Sequence, residues 1–209
     1  GQLATLQKLV TNYPKKDYWA AYLGRLQRKS GFSDRFALDV MRLKLATGNL
    51  SKTEEFMEMT QLALHAGYTA EGKAIVDKGF ASGALGAGAE ADRHKRLRDL
   101  AEKRDAEAKA SIDQRAADAA NAKSGDDLVQ IGYAYATMGQ ADKGVPLIEQ
   151  GIAKGGLKRP DDARLRLGMA LMHGSKNKAK AVQTLRSVQG TDGAADIGRA
   201  WAVIAQNGS

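Results

Sequence analysis

Residues 126–155 read DDLVQIGYAYATMGQADKGVPLIEQGIAKG. Leu128, Ile131, Tyr135 and Met138 recur at helical spacing, and Gly139-Gln140 breaks the run. Val145, Ile148 and Ile152 then mark a second amphipathic helix, with Gly144 and Gly151 on its inner side. Glycine inside a helix costs about 1 kcal/mol relative to alanine. Two of them one heptad apart therefore point to a close helix–helix approach in which a Cβ would not fit. Pro146 falls near the start of the second helix, where a missing N–H costs little.

The same grammar recurs outward in both directions. The breaker glycines Gly31, Gly67 and Gly139 share a spacing unit of about 36 residues, and Gly174-Ser175 follows at the next interval. Residues 53–85 carry Phe56, Met59 and Leu62 before the turn at Gly67-Tyr68, then Gly72, Val76 and Gly79 after it. Residues 17–50 carry Tyr18, Trp19, Leu23 and Leu26, a turn at Gly31-Phe32, then Phe36, Val40 and Leu43. Residues 161–189 carry Leu167-Gly168 and Leu171, a turn around Gly174–Asn177, then Ala181, Leu185 and Val188. Ile197, Ala200, Trp201 and Ile204 place a closing helix over 193–206.

These units resemble tetratricopeptide repeats, in which each unit is a pair of antiparallel helices. Ile131-Gly132 with Tyr135, Leu23-Gly24 after Trp19, and Leu167-Gly168 match the family pattern of the first helix. Gly72 with Gly79, and Gly144 with Gly151, stand where its second helix carries small residues. Pro14, ending Leu9–Pro14, matches a repeat's closing position, so residues 2–12 read as the second helix of a unit whose first helix is missing. The resemblance implies an all-α chain. It would be a right-handed superhelix of about five repeats, a leading half-repeat and a capping helix, forming a single domain over 1–209 of bacterial type.

The stretch 89–123 is the awkward one. Its large apolar residues are Leu97, Leu100 and Ile112, and the rest is alanine and alternating charge. It reads as a degenerate repeat with its turn near Lys103–Asp105. The alternative is one continuous helix of about 35 residues, roughly 50 Å long. The glycine-rich segment 83–88 before it reads as a loop.

Composition excludes several functions. The chain has 209 residues and no cysteine, so disulfides, thiol nucleophiles and Cys-ligated metals are ruled out. The 43% apolar content is too high for a disordered chain. No apolar run reaches the roughly 18 residues of a membrane span. His65, His94 and His173 lie far apart without ligand spacing, and no metal or cofactor is expected. Gly83–Gly88 lacks the Gly-Lys-Ser/Thr ending of a phosphate loop. Glu54-Glu55, Asp126-Asp127 and Asp161-Asp162 fall at helix starts, where they complement the helix dipole rather than form acid–base pairs. The chain begins with glycine, as expected of a processed or excised piece, and both periplasm and cytoplasm stay open.

The family's first helices line a concave groove, and carrying that over by phase assigns a lining. The first unit supplies Tyr18, Arg25 and Arg28, and the second Met57, Gln61 and Leu64. The degenerate unit supplies Lys95 and Asp99, the next Val129 and Tyr133, and the last Leu165, Met169 and Met172. Methionines and a tyrosine on such a surface suit adaptable apolar recognition; the alternative is packing between repeats. The asparagines with which one subgroup grips C-terminal carboxylates are missing from these positions. The expected function is a non-enzymatic scaffold holding a peptide or partner protein in an extended, open groove, with self-association through the exposed half-repeat as a further possibility. Residues 1–49 hold nine basic and three acidic side chains, so nucleic-acid binding at that end is the competing reading. An accessory domain of a larger enzyme or complex is the third.

Overall fold

The computed structural model describes residues 1–174 and 176–208. Among them are eleven α-helices. The leading helix is α1 (Gln2–Asn12). Four helix pairs fall on the units read from sequence. They are α2 (Lys16–Gln27) with α3 (Ala37–Ala46), α4 (Thr53–His65) with α5 (Thr69–Ala81), α7 (Asp126–Thr137) with α8 (Ala141–Lys154), and α9 (Pro160–His173) with α10 (Lys178–Arg186). The closing helix is α11 (Ala194–Asn207). This is the all-α helical-repeat architecture expected.

The breaker glycines act through their backbone. Gly31, Gly67 and Gly139 all have φ between 80° and 88°, the left-handed region that a side chain resists. Gly174 differs: it closes α9 at φ −93°, and the Ser175 half of that expected turn lies outside the described residues. Pro146 sits inside α8, further in than its first turn.

Residues 89–123 correct the sequence reading. They form one helix, α6 (Ala91–Ala120), about 45 Å long at 1.5 Å per residue, with no turn at Lys103–Asp105. The reason is the absence of a breaker: no glycine or proline lies between Gly88 and Gly125. Arg98–Glu102 and Asp105–Lys109 add four-residue ion pairs along it. Asp105, at the expected turn, is buried mid-helix and accepts a hydrogen bond from Thr69 at the start of α5. α6 packs on α5, α4 and α7. An Arg104→Pro variant tests this, because Arg104 is exposed and would be tolerated in a turn. In a continuous helix it costs about 3 kcal/mol, seen as a lower urea midpoint with loss of helical circular dichroism.

The second correction concerns shape. The stack is not extended and open, because its last elements return to its first. α11 packs against α1 and α3 as well as α9 and α10. Ser33 N–H donates to Asp192 O at 2.8 Å, and Lys29 Nζ meets Asp196 at 2.7 Å. Arg35 binds Asp162 through two 2.9 Å bonds and Asp192 at 2.6 Å. Four of the nine N-terminal cations (Lys29, Arg35, Arg42 and Lys44) are thus engaged by carboxylates of this chain. Two of these, Lys29 and Arg35, reach the C-terminal elements and belong to the closure, while Lys8, Lys15, Lys16, Arg25 and Arg28 make no ion pair among the described residues. α1 also packs on α2 and α11, so the leading half-repeat is covered on that side.

Candidate functional site

Closure brings together residues that lie far apart in sequence. Asp39 and Arg42 on α3 face Arg166 on α9 and Glu71 on α5. Arg166 grips both Asp39 oxygens at 2.6 and 2.8 Å. Arg42 grips Glu71 through two 2.8 Å bonds and adds a third to Asp39 at 3.2 Å. Asp39 is 1% exposed and Arg42 4%. Burial alone would push the Asp39 carboxyl up. The Arg166 and Arg42 guanidiniums outweigh it and hold the group below its ordinary range. Burial likewise opposes charge on Arg42, and its carboxylate and phenol neighbours keep it cationic.

Aromatic rings cover this network. The Arg42 guanidinium lies 5.3 Å from the Tyr68 ring centre and 5.2 Å from that of Tyr133, and Arg166 lies 5.5 Å from Tyr133. Tyr68 and Tyr133 meet edge to face at 5.2 Å. Tyr68 donates to Gln130 Oε1 at 2.8 Å, and Gln130 returns a bond to the Ala66 carbonyl at 2.7 Å, joining the second unit to α7.

Above the network is a cavity of about 290 Å³. Met59, Met169 and Met172 form much of its wall, with the rings of Tyr133, His173 and Trp201, and Arg42 and Glu71 as its polar edge. Two further concavities, of about 500 and 450 Å³, lie on either side of the C-terminal turn of α9 and share Leu171 and Gly174. The first reaches Val145 and Pro146 on α8, the second Ile204 on α11. The second shares Met172 with the central cavity.

Of the lining assigned from sequence, Tyr133, Met169 and Met172 meet in the central cavity. Met57, Leu64, Val129 and Leu165 are instead buried between helices. Leu64 packs where a Cβ on Gly72 would fall, and Val129 where one on Gly151 would. Arg25, Arg28, Gln61, Lys95 and Asp99 are exposed, and Tyr18 is half-buried against the core. Leu64 and Val129 are thus covered by the second helix of their own unit, and the assigned positions form no continuous lining. Arg42, Met59, Glu71, His173 and Trp201 were not assigned from sequence. Arg42 and Glu71 belong to second helices, His173 to a helix end and Trp201 to the cap, which the groove rule leaves out; Met59 lies mid-way along the first helix α4, on a face the phase argument gave to the core.

The other expectations fare as follows. His94 is buried near the start of α6 and accepts the Gly86 N–H at Nδ1 (3.0 Å), pinning the 83–88 loop. Glu54-Glu55 do open a helix, and Glu55 accepts the Lys52 and Ser51 N–H groups. Among the described residues no cluster of metal-ligating side chains occurs and no helix is long and apolar enough to cross a membrane.

Residues 162–191, covering most of α9 and all of α10, match the family model of the tetratricopeptide repeat. No curated protein and no solved structure gives a significant match to the chain. The matched unit shares its helix-pair form with the three others, and the chain is an all-α helical-repeat protein that carries a tetratricopeptide-type repeat at residues 162–191.

Proposed function

We propose that the chain is a non-enzymatic scaffold that holds a protein or peptide partner. Repeats of this type generally serve protein–protein interaction. The observation that carries the reading is the pair of concavities meeting at the C-terminal turn of α9, lined by Val145, Pro146, Leu171 and Ile204 together with charged Asp142, Lys176 and Lys178. The matched repeat, α8 and the cap all contribute to it. It is long enough for several side chains of a bound segment, whereas the central cavity admits one.

A pull-down from native extract, with and without nuclease and at low and high salt, tests this. A discrete protein retained after nuclease and high salt is expected. Val145→Glu should then weaken retention at least tenfold, since Val145 is half-buried in the concavity beside Pro146. It should change stability by no more than about 1 kcal/mol. Tyr133 and Met169 are unsuitable probes, because a carboxylate there would be placed in the core. Retention that disappears with nuclease and salt would overturn the scaffold reading in favour of nucleic acid at Lys8, Lys15, Lys16, Arg25 and Arg28.

A further inference from the structure

The central cavity has the features of a built ligand site, independent of the interaction reading above. Its size and its setting between helices suit a small organic group. Its charges are already satisfied. Arg42 with Glu71, and Arg166 with Asp39, are each paired through two hydrogen bonds and sum to zero. An entering ion would find no counter-charge and would lose its water. The walls are thioethers and rings, and sulfur against an aromatic face is a favourable contact.

Several polar atoms of its wall are left over: among the described residues no hydrogen bond engages the His173 ring nitrogens, Trp201 Nε1 is sealed without a partner, and the Tyr133 hydroxyl joins them. The hydroxyls of Tyr22, Tyr68 and Tyr135 all have hydrogen-bond partners. Among the described residues that of Tyr133 has none. Tyr133 is 1% exposed. The sealed, unpartnered side-chain atoms are His94 Nε2, Arg199 Nε and Trp201 Nε1, and the Tyr133 oxygen is not one of them. What remains open of this side chain is therefore its hydroxyl, on the cavity it lines. A hydroxyl that is open and held by no protein group is available to a ligand atom that enters the cavity.

We infer that this cavity binds an uncharged aromatic ring bearing one hydrogen-bonding group, received against the methionine walls and bonded to the Tyr133 hydroxyl. The ring can come from a free small molecule or from a partner's tyrosine-like side chain, and the probes separate the two. Because α3, α5, α7, α9 and α11 all contribute wall residues, an occupant ties the first repeat to the last.

The experiment titrates the whole chain with 4-methylphenol, toluene, 4-methylbenzoate and N-acetyltyrosinamide, read by calorimetry and by Trp fluorescence. 4-Methylphenol should bind saturably and about fivefold more tightly than toluene, the value of one net hydrogen bond. 4-Methylbenzoate should not bind. Tyr133→Phe should bring the phenol-to-toluene ratio near one while toluene binding stays within about twofold. Ala46→Trp, at an exposed rim position that leaves the core alone, should abolish both. N-Acetyltyrosinamide binding at least as tightly as 4-methylphenol assigns the ring to a partner side chain. Its exclusion assigns the site to a free small molecule. No saturable binding of either neutral ring would overturn the inference. So would equal binding of the carboxylate, or binding untouched by Ala46→Trp.

Discussion

Gly144→Ala is expected to destabilise the chain by about 3 kcal/mol, although alanine is the better helix former by about 1 kcal/mol. At the α7–α8 crossing the two backbones touch each other directly. A Cβ on Gly144 would overlap the Gly132 carbonyl oxygen and come within 3.1 Å of the Ala136 nitrogen. A Cβ on Gly132 would in turn lie 2.7 Å from the Gly144 oxygen, and one on Gly151 2.6 Å from the Gly125 oxygen. No rotamer change relieves a contact between main chains, so the helices must separate and the core between them must open. Gly79→Ala provides the contrast. Its Cβ would meet Leu85 at Cδ1 (2.6 Å) and Cγ (2.8 Å), a buried side chain that must shift but, unlike main chain, can repack. There the helix gain and the repacking cost should leave stability within about 1 kcal/mol. Thermal unfolding of both variants separates them: about 2–4 °C per kcal/mol for a chain of this size puts Gly144→Ala some 6–12 °C down and Gly79→Ala near the wild type. Equal midpoints would mean that the α7–α8 crossing is looser than the backbone contact requires.

That prediction was legible in the sequence because glycine in a helix has few other uses. Gly144 and Gly151 disfavour the helix they occupy, so only a neighbour's closeness accounts for them. The positive-φ glycines Gly31, Gly67 and Gly139 were legible for the same reason, since each marks a backbone state that other residues resist. Within-unit structure follows from such local signals. What failed was long-range. The continuity of α6 could be weighed but not decided, because alanine and alternating charge fit a helix of any length. Asp105 gives no sequence sign of its bond to Thr69. Closure was not legible at all: Asp39, Glu71 and Arg166 look like any solvated helix charges. Their partners are fixed only by the turn of the whole stack. Closure brings Tyr133, Met169 and Met172 to one cavity, whereas Leu64 and Val129 are absorbed into packing within their own units, and Met57 and Leu165 are buried as well.

The closure itself supplies the other large effect. Asp39→Asn should cost about 3–5 kcal/mol, the range for removing one partner from a buried ion pair. Asparagine keeps the shape but leaves the Arg166 guanidinium without a charge opposite it and takes one acceptor from Arg42. The double variant Asp39→Leu with Arg166→Met should recover most of that loss. Arg42 and Glu71 still neutralise each other through two bonds, and no uncompensated charge stays buried. A coupling energy of at least about 2 kcal/mol between positions 39 and 166 is expected from the cycle. The pH dependence has a definite sign. Because the folded-state carboxyl of Asp39 titrates below its unfolded value, its stabilisation is complete above the unfolded value of about 3.9. It is lost as pH falls through the lower folded value. Asp192, also held below its ordinary range by Arg35 and backbone N–H groups against the opposing effect of burial, adds to the same acid loss at the other contact between first and last elements. The melting temperature of the wild type should therefore drop steeply below about pH 4, and that of Asp39→Asn more shallowly from a lower start. Parallel acid profiles would show that the Asp39–Arg166 contact is not what holds the first repeat to the last. A shallower one with the coupling above would make this buried pair a principal contributor to the closure of the stack, alongside the Arg35 and Lys29 contacts.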